Sequence, residues 1–152
     1  MSRLRQNFWT GKEAPVPQGK AVVQIGALCL RKTKGTAEVL LVKSSRGRWI
    51  VPKGWPIDGL TDAEAAKVEA WEEAGVAKGK ISKKPVGGYL TVKRFDDGRK
   101  VPCHVNVFQI NVKNMVDSYP EAGPRRRKWM PVKKAAKKVE DDGLRLLLKA
   151  VS

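Results

Sequence analysis

The chain has 152 residues, of which 41% are hydrophobic, and this length and composition suit a single compact domain with its own core. Its 31 Lys and Arg residues outnumber its 15 Asp and Glu residues and give a formal net charge of +16, which disfavours cationic ligands and leaves nucleic acid, a membrane surface or a phosphorylated metabolite as partners. No apolar stretch reaches the ~20 residues needed to span a bilayer, and residues 1–20 lack the continuous apolar segment of a secretory signal. We therefore expect a cytoplasmic protein with a flexible N-terminal leader at residues 1–19 and one domain at residues 20–152.

Three β-rich segments open the predicted domain, at residues 21–30, 38–43 and 49–51. A Lys-Gly-Thr turn separates the first two segments and indicates neighbouring strands. Cys29 lies in the first segment and Cys103 in a later one, and neither has the Cys-x-x-Cys or His-rich neighbourhood of a zinc site. Both are expected to be buried free thiols.

A helix is predicted from residue 61 to residue 75. Thr61 and Glu64 have the spacing of a capping box, in which each side chain bonds the backbone N–H of the other, and Gly75 can close the C-terminus. Val68 and Trp71 offer apolar surface for docking this helix on a sheet.

The second half of the chain predicts a hairpin followed by two helices. Segments 89–95 and 101–112 flank Asp97-Gly98, a pair that supplies the positive φ angles of a hairpin turn. Apolar residues then recur at helical spacing in residues 132–139 and 144–151. Strands combined with helices in this order indicate an α/β fold with a mixed sheet covered on its faces.

Acidic residues are concentrated on the first predicted helix. Five of the 15 in the chain lie between Asp62 and Glu73, where Lys67 is the only base. At ~100° per residue, Glu69, Glu72 and Glu73 share one arc of the helix, so their charges repel one another. A solvated helical face is the ordinary interpretation of three such glutamates alone, whereas a bound Mg²⁺ or Mn²⁺, which prefers oxygen ligands, would relieve the repulsion.

The residues around this cluster resemble the Nudix box, G-x5-E-x7-R-E-U-x-E-E-x-G-U, in which U is aliphatic. The positions that fall in register are Gly54, Glu69, Glu72, Glu73, Gly75 and Val76. Leu60 stands where the first glutamate belongs and Val68 where the arginine belongs. The preceding residues 39–54 resemble the approach to the box in diphosphoinositol polyphosphate phosphohydrolases.

The resemblance implies a Nudix α/β/α sandwich and a Mg²⁺-dependent hydrolase that cleaves a phosphoanhydride bond, with Mn²⁺ as an alternative ion. It implies that Glu69 and Glu73 are the principal metal ligands, that Glu72 assists as ligand or base, and that a carbonyl of Lys53 or Gly54 completes the site. It also implies a phosphorylated small-molecule substrate, with diphosphoinositol polyphosphates or dinucleoside polyphosphates as the first choices. The sequence leaves the oligomeric state open.

The two departures from the box motivate a different interpretation. Losing the acid and the base together suggests that an apolar contact between Leu60 and Val68 replaces an ionic brace, since packed apolar residues often substitute for a buried ion pair without loss of stability. The same departures and the net charge also fit a weakly active or inactive Nudix-like module that binds RNA or another polyanion, which is the less favoured alternative.

Basic and aromatic residues outside the helix are candidates for substrate binding. Arg46, Arg48 and Lys53 precede the acidic helix and are expected to bind phosphate, with solvated surface charge as the alternative. Arg125 and Arg127 belong to a basic segment that corresponds to one late in the same subfamily and could extend the anion site or form a nonspecific basic loop. The aromatic residues that could stack on a substrate ring, or pack in the core or at its rim, are Trp55, Tyr89 and Trp129.

Overall fold

The computed structural model describes residues 8–10, 21–123 and 126–151. Its elements within these ranges are β1 Phe8–Thr10, β2 Val22–Thr33, β3 Thr36–Lys43, β4 Trp49–Ile50, β5 Lys53–Gly54, α1 Asp62–Ala74, β6 Val76–Ile81, β7 Gly87–Arg94, β8 Lys100–Met115, β9 Arg127–Pro131, α2 Val132–Lys138 and α3 Asp142–Val151. Most of the predicted leader lies outside the described residues, but its Phe8–Thr10 segment forms an edge strand on β7. The leader and domain boundaries remain a prediction.

All nine described strands belong to one mixed sheet, which confirms the predicted fold class. Its main path runs β1-β7-β8-β2-β3-β4, and β5, β6 and β9 pair with β2, β8 and β3. The central strands β2 and β8 run parallel, from the pair Val22↔Cys103 to the pair Leu30↔Asn111. Their neighbours pair antiparallel, so the sheet combines both ladder types.

The two predicted turns have the backbone that their sequences require. Lys34 and Gly35 both have positive φ between β2 and β3, as a two-residue type I′ hairpin demands. Gly98 has a φ of 92° in the β7–β8 hairpin, where the Phe95 N–H donates to the Arg99 carbonyl at 2.9 Å. Local turn chemistry therefore fixes which strands meet at these two places.

Two hydrophobic clusters cover opposite faces of the sheet. Successive side chains of a strand point to opposite faces, so Ile25 in β2 packs in the cluster that contains the buried side of α1. Leu28 in the same strand packs with Val105 and with residues of α2 and α3, such as Leu147. The result is the three-layer α/β/α arrangement that the resemblance implies, and the structure places α1 on one face of the sheet and α2 and α3 on the other.

Helix α1 has the predicted caps but docks through different residues. Thr61 and Glu64 form the reciprocal capping box, and Gly75, at a φ of 72°, closes the helix. The expectation that Val68 and Trp71 dock the helix is wrong for Trp71, which is 38% exposed. Apart from Glu73, the buried residues of the helix are small and bring its backbone close to the sheet, namely Ala65, Ala66, Ala70 and Ala74.

Cys29 and Cys103 are buried free thiols, as predicted. Burial raises the pKa of Cys29 to about 12 and also raises the pKa of Cys103. Among the described residues, no helix has both the length and the apolar character that a membrane crossing requires.

Candidate active site

The side chain of Glu69 lies directly against the backbone of Gly54 in β5. A Cβ atom added at Gly54 would lie 2.4 Å from Cδ of Glu69 and within 2.6 Å of both carboxylate oxygens. Any larger residue at position 54 would displace the carboxylate, since real Cβ atoms do not approach so closely. This contact explains the glycine by close approach alone.

Glu73 lies one helical turn after Glu69 and faces the same short strand. Its side chain is only 5% exposed, and the backbone N–H of Lys53 donates to its Oε1 at 3.4 Å. Glu72 is half-buried, and its backbone carbonyl accepts the N–H of Glu121 at 3.0 Å. The structure therefore brings the Glu69 and Glu73 side chains together at β5.

The donor groups at β5 fit a hard divalent cation. Within the ranges that the structure describes, no three Asp, Glu, His or Cys side chains converge as a ready metal cluster. Mg²⁺ does not require such a cluster, because it keeps several water ligands and binds proteins through one or two carboxylates together with substrate phosphates. Glu69 and Glu73, beside the backbone of Gly54, are the carboxylates that could hold such an ion.

A basic cleft opens beside Glu73. The cationic side chains that line it together with Glu73 are Arg46, Arg48, Lys53, Lys93 and Arg94. The first three are those predicted before the acidic helix. The sequence predictions did not include Lys93 and Arg94, because these residues reach the cleft only through the pairing of β7 with β8. Strand alternation from Tyr89 was the one available signal for Lys93.

Lys53 is held at the base of the cleft by a hydrogen bond. Its Nζ donates to Oε1 of Gln24 at 3.1 Å, and the Cys103 thiol donates to the same oxygen at 3.6 Å. Burial is the main cause that lowers the pKa of Lys53. The ammonium is therefore fixed in position and poorly hydrated, which strengthens its attraction for an anion.

Asp141 ties the cleft wall together, and the sequence predictions did not include it. Its Oδ1 accepts the backbone N–H of Leu144 at 3.1 Å, which caps α3, and its Oδ2 accepts the hydroxyl of Thr91 in β7. Both residues line the cleft. The spacing of Asp141 and Leu144 at the start of a predicted helix was the signal that could have identified this cap.

Arg127 has a different environment from the predicted one, and Arg125 lies outside the described residues. The Arg127 Nη1 atom donates to the carbonyl of Ala74 at 2.8 Å and to that of Val116 at 2.7 Å, while Nη2 donates to Asp117 at 2.6 Å. It does not line the cleft described above. These bonds neutralise the C-terminal end of α1, so we leave Arg127 out of the phosphate-binding set.

Leu60 and Val68 do not form a buried brace. Leu60 is 38% exposed, Val68 is half-buried, and neither belongs to the two hydrophobic clusters of the described residues. The hypothesis of a buried apolar replacement for the ion pair is therefore not supported. The bonds of Arg127 and of the β8–β9 loop brace the other end of the helix instead.

The three candidate aromatic residues have different surroundings. Tyr89 is buried in the core, where burial raises its pKa well above the usual value. Trp129 lies under the guanidinium of Arg31, 4.2 Å from the ring centroid. Trp55 is 43% exposed and stacks on Phe95. Of these three residues, only Trp55 has an exposed side chain.

The family of this chain follows from its fold, its site and its sequence together. The family model described as NUDIX domain matches residues 20–150, and the chain therefore belongs to the Nudix family. Solved structures agree on the fold: an Ap4A hydrolase from C. elegans superposes with a TM-score of 0.61 at 23% identity, covering 86% of this chain and 96% of that one. RenU, a Nudix hydrolase from M. Smegmatis, gives a TM-score of 0.58 at 17% identity over 94% of both chains.

Curated relatives are similar over a shorter part of the chain. Nudix hydrolase 12, mitochondrial, from Arabidopsis thaliana is 36% identical over 102 residues, which cover 64% of this chain and 50% of that protein. Diphosphoinositol polyphosphate phosphohydrolase 3-beta from Homo sapiens is 37% identical over 114 residues, which cover 72% of this chain and 64% of that protein. The matched segment thus spans between half and just under two thirds of these relatives. These matches confirm the predicted resemblance to diphosphoinositol polyphosphate phosphohydrolases.

Proposed function

We propose that this protein is a magnesium-dependent pyrophosphohydrolase that cleaves a phosphoanhydride bond in a phosphorylated small molecule. The observation that carries the proposal is the placement of the Glu69 and Glu73 carboxylates at β5, beside a cleft lined by five cationic side chains. Hydrolysis of a phosphoanhydride bond uses a metal ion, which carboxylates can hold, and cationic side chains that bind the phosphates. This site combines both kinds of group. Mn²⁺ is expected to support the same activity as an alternative to Mg²⁺.

Each group has a separate task in this proposal. Glu69 and Glu73 hold the ion, which when bound supplies an activated water and neutralises phosphate charge. Arg46, Arg48 and Lys53 hold the phosphates that do not react and orient the chain of phosphates along the cleft. Glu72, which is half-buried at the edge of the site, assists as a ligand or as the base that accepts a proton.

The substrate class follows from the charge of the cleft and from the relatives. Relatives are named for diphosphoinositol polyphosphates and, among solved structures, for Ap4A, while another neighbour was solved with ADP ribose. A cleft with Arg46, Arg48, Lys53, Lys93 and Arg94 matches a chain of several phosphates better than a single one. We propose a diphosphoinositol polyphosphate or a dinucleoside polyphosphate as substrate.

Product analysis with both substrates tests the activity. Cleavage of the phosphoanhydride bond is expected when Mg²⁺ is present. No cleavage products should form when EDTA removes the ion. Glu73→Gln, which preserves side-chain size, should lower turnover at least ~100-fold. Asp58→Asn is the matched control, because Asp58 is an exposed carboxylate on the loop that precedes α1. Unchanged turnover in Glu73→Gln would contradict the site assignment.

A second candidate keeps the basic surface and gives up the chemistry. Leu60 and Val68 replace the acid and base of the family box, and the net charge is +16. These features also favour a Nudix-like module that binds RNA or another polyanion. RNA binding that weakens steeply with salt, together with no metal-dependent hydrolysis of either substrate, would support this candidate.

A cytoplasmic location is proposed as well. Two relatives are named as mitochondrial, so the location of this protein needs a test of its own.

A further inference from the structure

The end of the sheet opposite the cleft carries a group of exposed lysines. In β8, Asn111 is paired with Leu30 of β2 on one side and with Lys80 of β6 on the other. Side chains two positions apart on a strand share a face, so Lys32 in β2 and Lys113 in β8 point to the same side as these paired residues. Both lysines are exposed, and so is Lys80. Three adjacent strands therefore each present a lysine here.

An irregularity in the pairing of β6 with β8 adds a fourth lysine. The register shifts on both sides of Lys78, which is exposed and paired with Asn114. Gly79 faces the α1 side of the sheet, because a Cβ atom there would lie 2.7 Å from Cγ2 of Ile110, which packs in that cluster. Lys78 and Lys80 flank Gly79 and point to the other side. The distal basic face formed in this way consists of Lys32, Lys78, Lys80, Asn111, Lys113 and Asn114.

No acidic residue neutralises the distal basic face. The chain has no Asp or Glu between residues 14 and 37, between 74 and 95, or between 98 and 116. Glu38 in β3 bonds Arg31 and Thr33. These two residues alternate with Lys32 along β2 and lie on the opposite side of the sheet. Like charges on neighbouring strands repel one another, and a bound polyanion would relieve this repulsion.

The distal basic face is separate from the candidate active site. Gln24 lines the cleft near the start of β2, whereas Lys32 lies near the end of the same strand. At ~3.3 Å per residue, these two positions are roughly 26 Å apart. None of the four lysines of the face lines the cleft. A small phosphorylated substrate at β5 cannot reach both places, so the face fits a second and larger partner.

The residues beside the lysines indicate the chemistry of that partner. Asn111 and Asn114 are exposed amides, which can donate to phosphate oxygens and exchange hydrogen bonds with hydroxyl groups. None of the exposed large hydrophobic residues of the described chain belongs to the face, so it lacks the apolar side chains that enter a membrane surface. It also lacks aromatic rings on which unpaired bases could stack. Phosphates and hydroxyls of a regular backbone are the groups that match it.

We propose that the distal basic face binds the backbone of helical RNA. A duplex presents rows of phosphates to the lysines, and an RNA helix also displays 2′-hydroxyls to side chains such as Asn111 and Asn114. Recognition of this kind depends on shape and backbone contacts and not on base sequence. The proposal goes beyond the hydrolase activity and does not rest on it, because the cleft and the candidate metal ligands take no part.

Fluorescence anisotropy of the full chain with a labelled RNA duplex of about 16 base pairs tests the proposal. The face variant K78Q/K80Q/K113Q removes three of the four charges. It should bind the duplex at least about 10-fold more weakly than the wild type, because three phosphate contacts are lost. The slope of log affinity against log salt should also become shallower by about 2 to 3.

A matched variant separates this surface from an effect of net charge. K67Q/K137Q/K138Q removes the same number of exposed lysines from α1 and α2. It should bind the duplex within about 3-fold of the wild type, since these lysines lie outside the face. Both variants should bind inorganic tetrapolyphosphate in EDTA as the wild type does, which shows that the fold and the cleft are intact.

Three further ligands distinguish RNA from other polyanions. They are a DNA duplex of the same sequence, single-stranded RNA and vesicles of phosphatidylcholine with phosphatidylserine. The RNA duplex is expected to bind most tightly. The proposal is overturned if the face variant binds that duplex as the wild type does, if the matched variant loses as much affinity, or if one of these three ligands binds more tightly. Hydrolysis does not enter these measurements, so a protein without turnover would lose only the proposed catalytic function.

Discussion

The guanidinium of Arg127 donates to the carbonyl of Ala74, the residue that directly follows Glu73. It also donates to the carbonyl of Val116 and to Asp117, so it joins the end of α1 to the segment after β8. A methyl group at Gly75 would lie 2.5 Å from Nη1 of Arg127, so the arginine leaves no room for a side chain at this helix cap. The position of Glu73 therefore depends on a residue far along the chain.

Arg127→Met is expected to lower both stability and turnover. The Ala74 and Val116 carbonyls lose a charged donor, and the free energy of unfolding should fall by about 1 to 3 kcal/mol. Because Glu73 loses its support, Mn²⁺ should bind more weakly and kcat should fall more than KM rises. Arg126→Met, which removes an exposed neighbour, is the control. A loss of melting temperature with unchanged Mn²⁺ affinity and kcat would mean that Arg127 serves the fold alone.

Gly54→Ala is expected to abolish most activity. The new methyl group would lie 2.4 Å from Cδ of Glu69, and overpacking of this kind costs about 1 to 3 kcal/mol. Displacing a ligand by about 1 Å can lower turnover ~100-fold. Gly123→Ala is the control, because a Cβ atom there meets nothing within 4 Å. Activity near that of the wild type in Gly54→Ala would show that the close contact has no catalytic role.

Arg48→Met and Arg94→Met test the phosphate-binding side of the cleft. Each removes charged hydrogen bonds worth about 1.5 to 3 kcal/mol, so KM should rise ~10-fold or more while kcat changes little. The increase in KM should shrink at high salt, because screening weakens the same interactions in the wild type. Lys134→Met removes one exposed positive charge from α2 and should change KM little. Equal effects of all three variants would indicate a general effect of net charge.

The two thiols are expected to be inert in the folded protein. With a pKa of about 12, Cys29 has about one thiolate per ten thousand molecules at pH 8, and burial also blocks reagent access. A disulfide reagent should label no thiol in the native state and two after denaturation. The sign of the pH effect follows from the raised pKa: the unfolded chain ionises first, so the stability that Cys29 contributes is complete below about pH 9 and declines from there towards pH 12. Rapid native labelling at pH 8 would contradict this prediction.

The features that the sequence predicts correctly are those set by neighbouring residues. The Thr61–Glu64 capping box and the Gly75 cap need only local spacing, and so do the turns at Gly35 and Gly98. These signals place α1 and two hairpins, and with them the acidic face. The order of the strands in the sheet has no comparable local signal, because it depends on pairing between distant segments.

The missed parts of the site depend on that distant pairing. The strand β5 has two residues and exists because Gly54 pairs with Ile25 in β2. Lys93 reaches the cleft through the register of β7 on β8, and Asp141 through its bond to Thr91. Val68 and Trp71 were expected to dock the helix because they are large and apolar, but alanines bring the backbone closer to the sheet. The close approach of the helix backbone to the sheet therefore decides which residues of α1 are buried.

The parallel pairing of β2 with β8 also governs how the protein can fold. It joins Val22 to Cys103, partners about 80 positions apart, across the centre of the sheet. Chain closure over such a separation comes before most of its energetic reward, so folding should take milliseconds to seconds, not microseconds. Gln24, which holds Lys53 in the cleft, lies on β2. During synthesis, the cleft therefore cannot be assembled before β8, Lys100–Met115, has emerged and paired with β2.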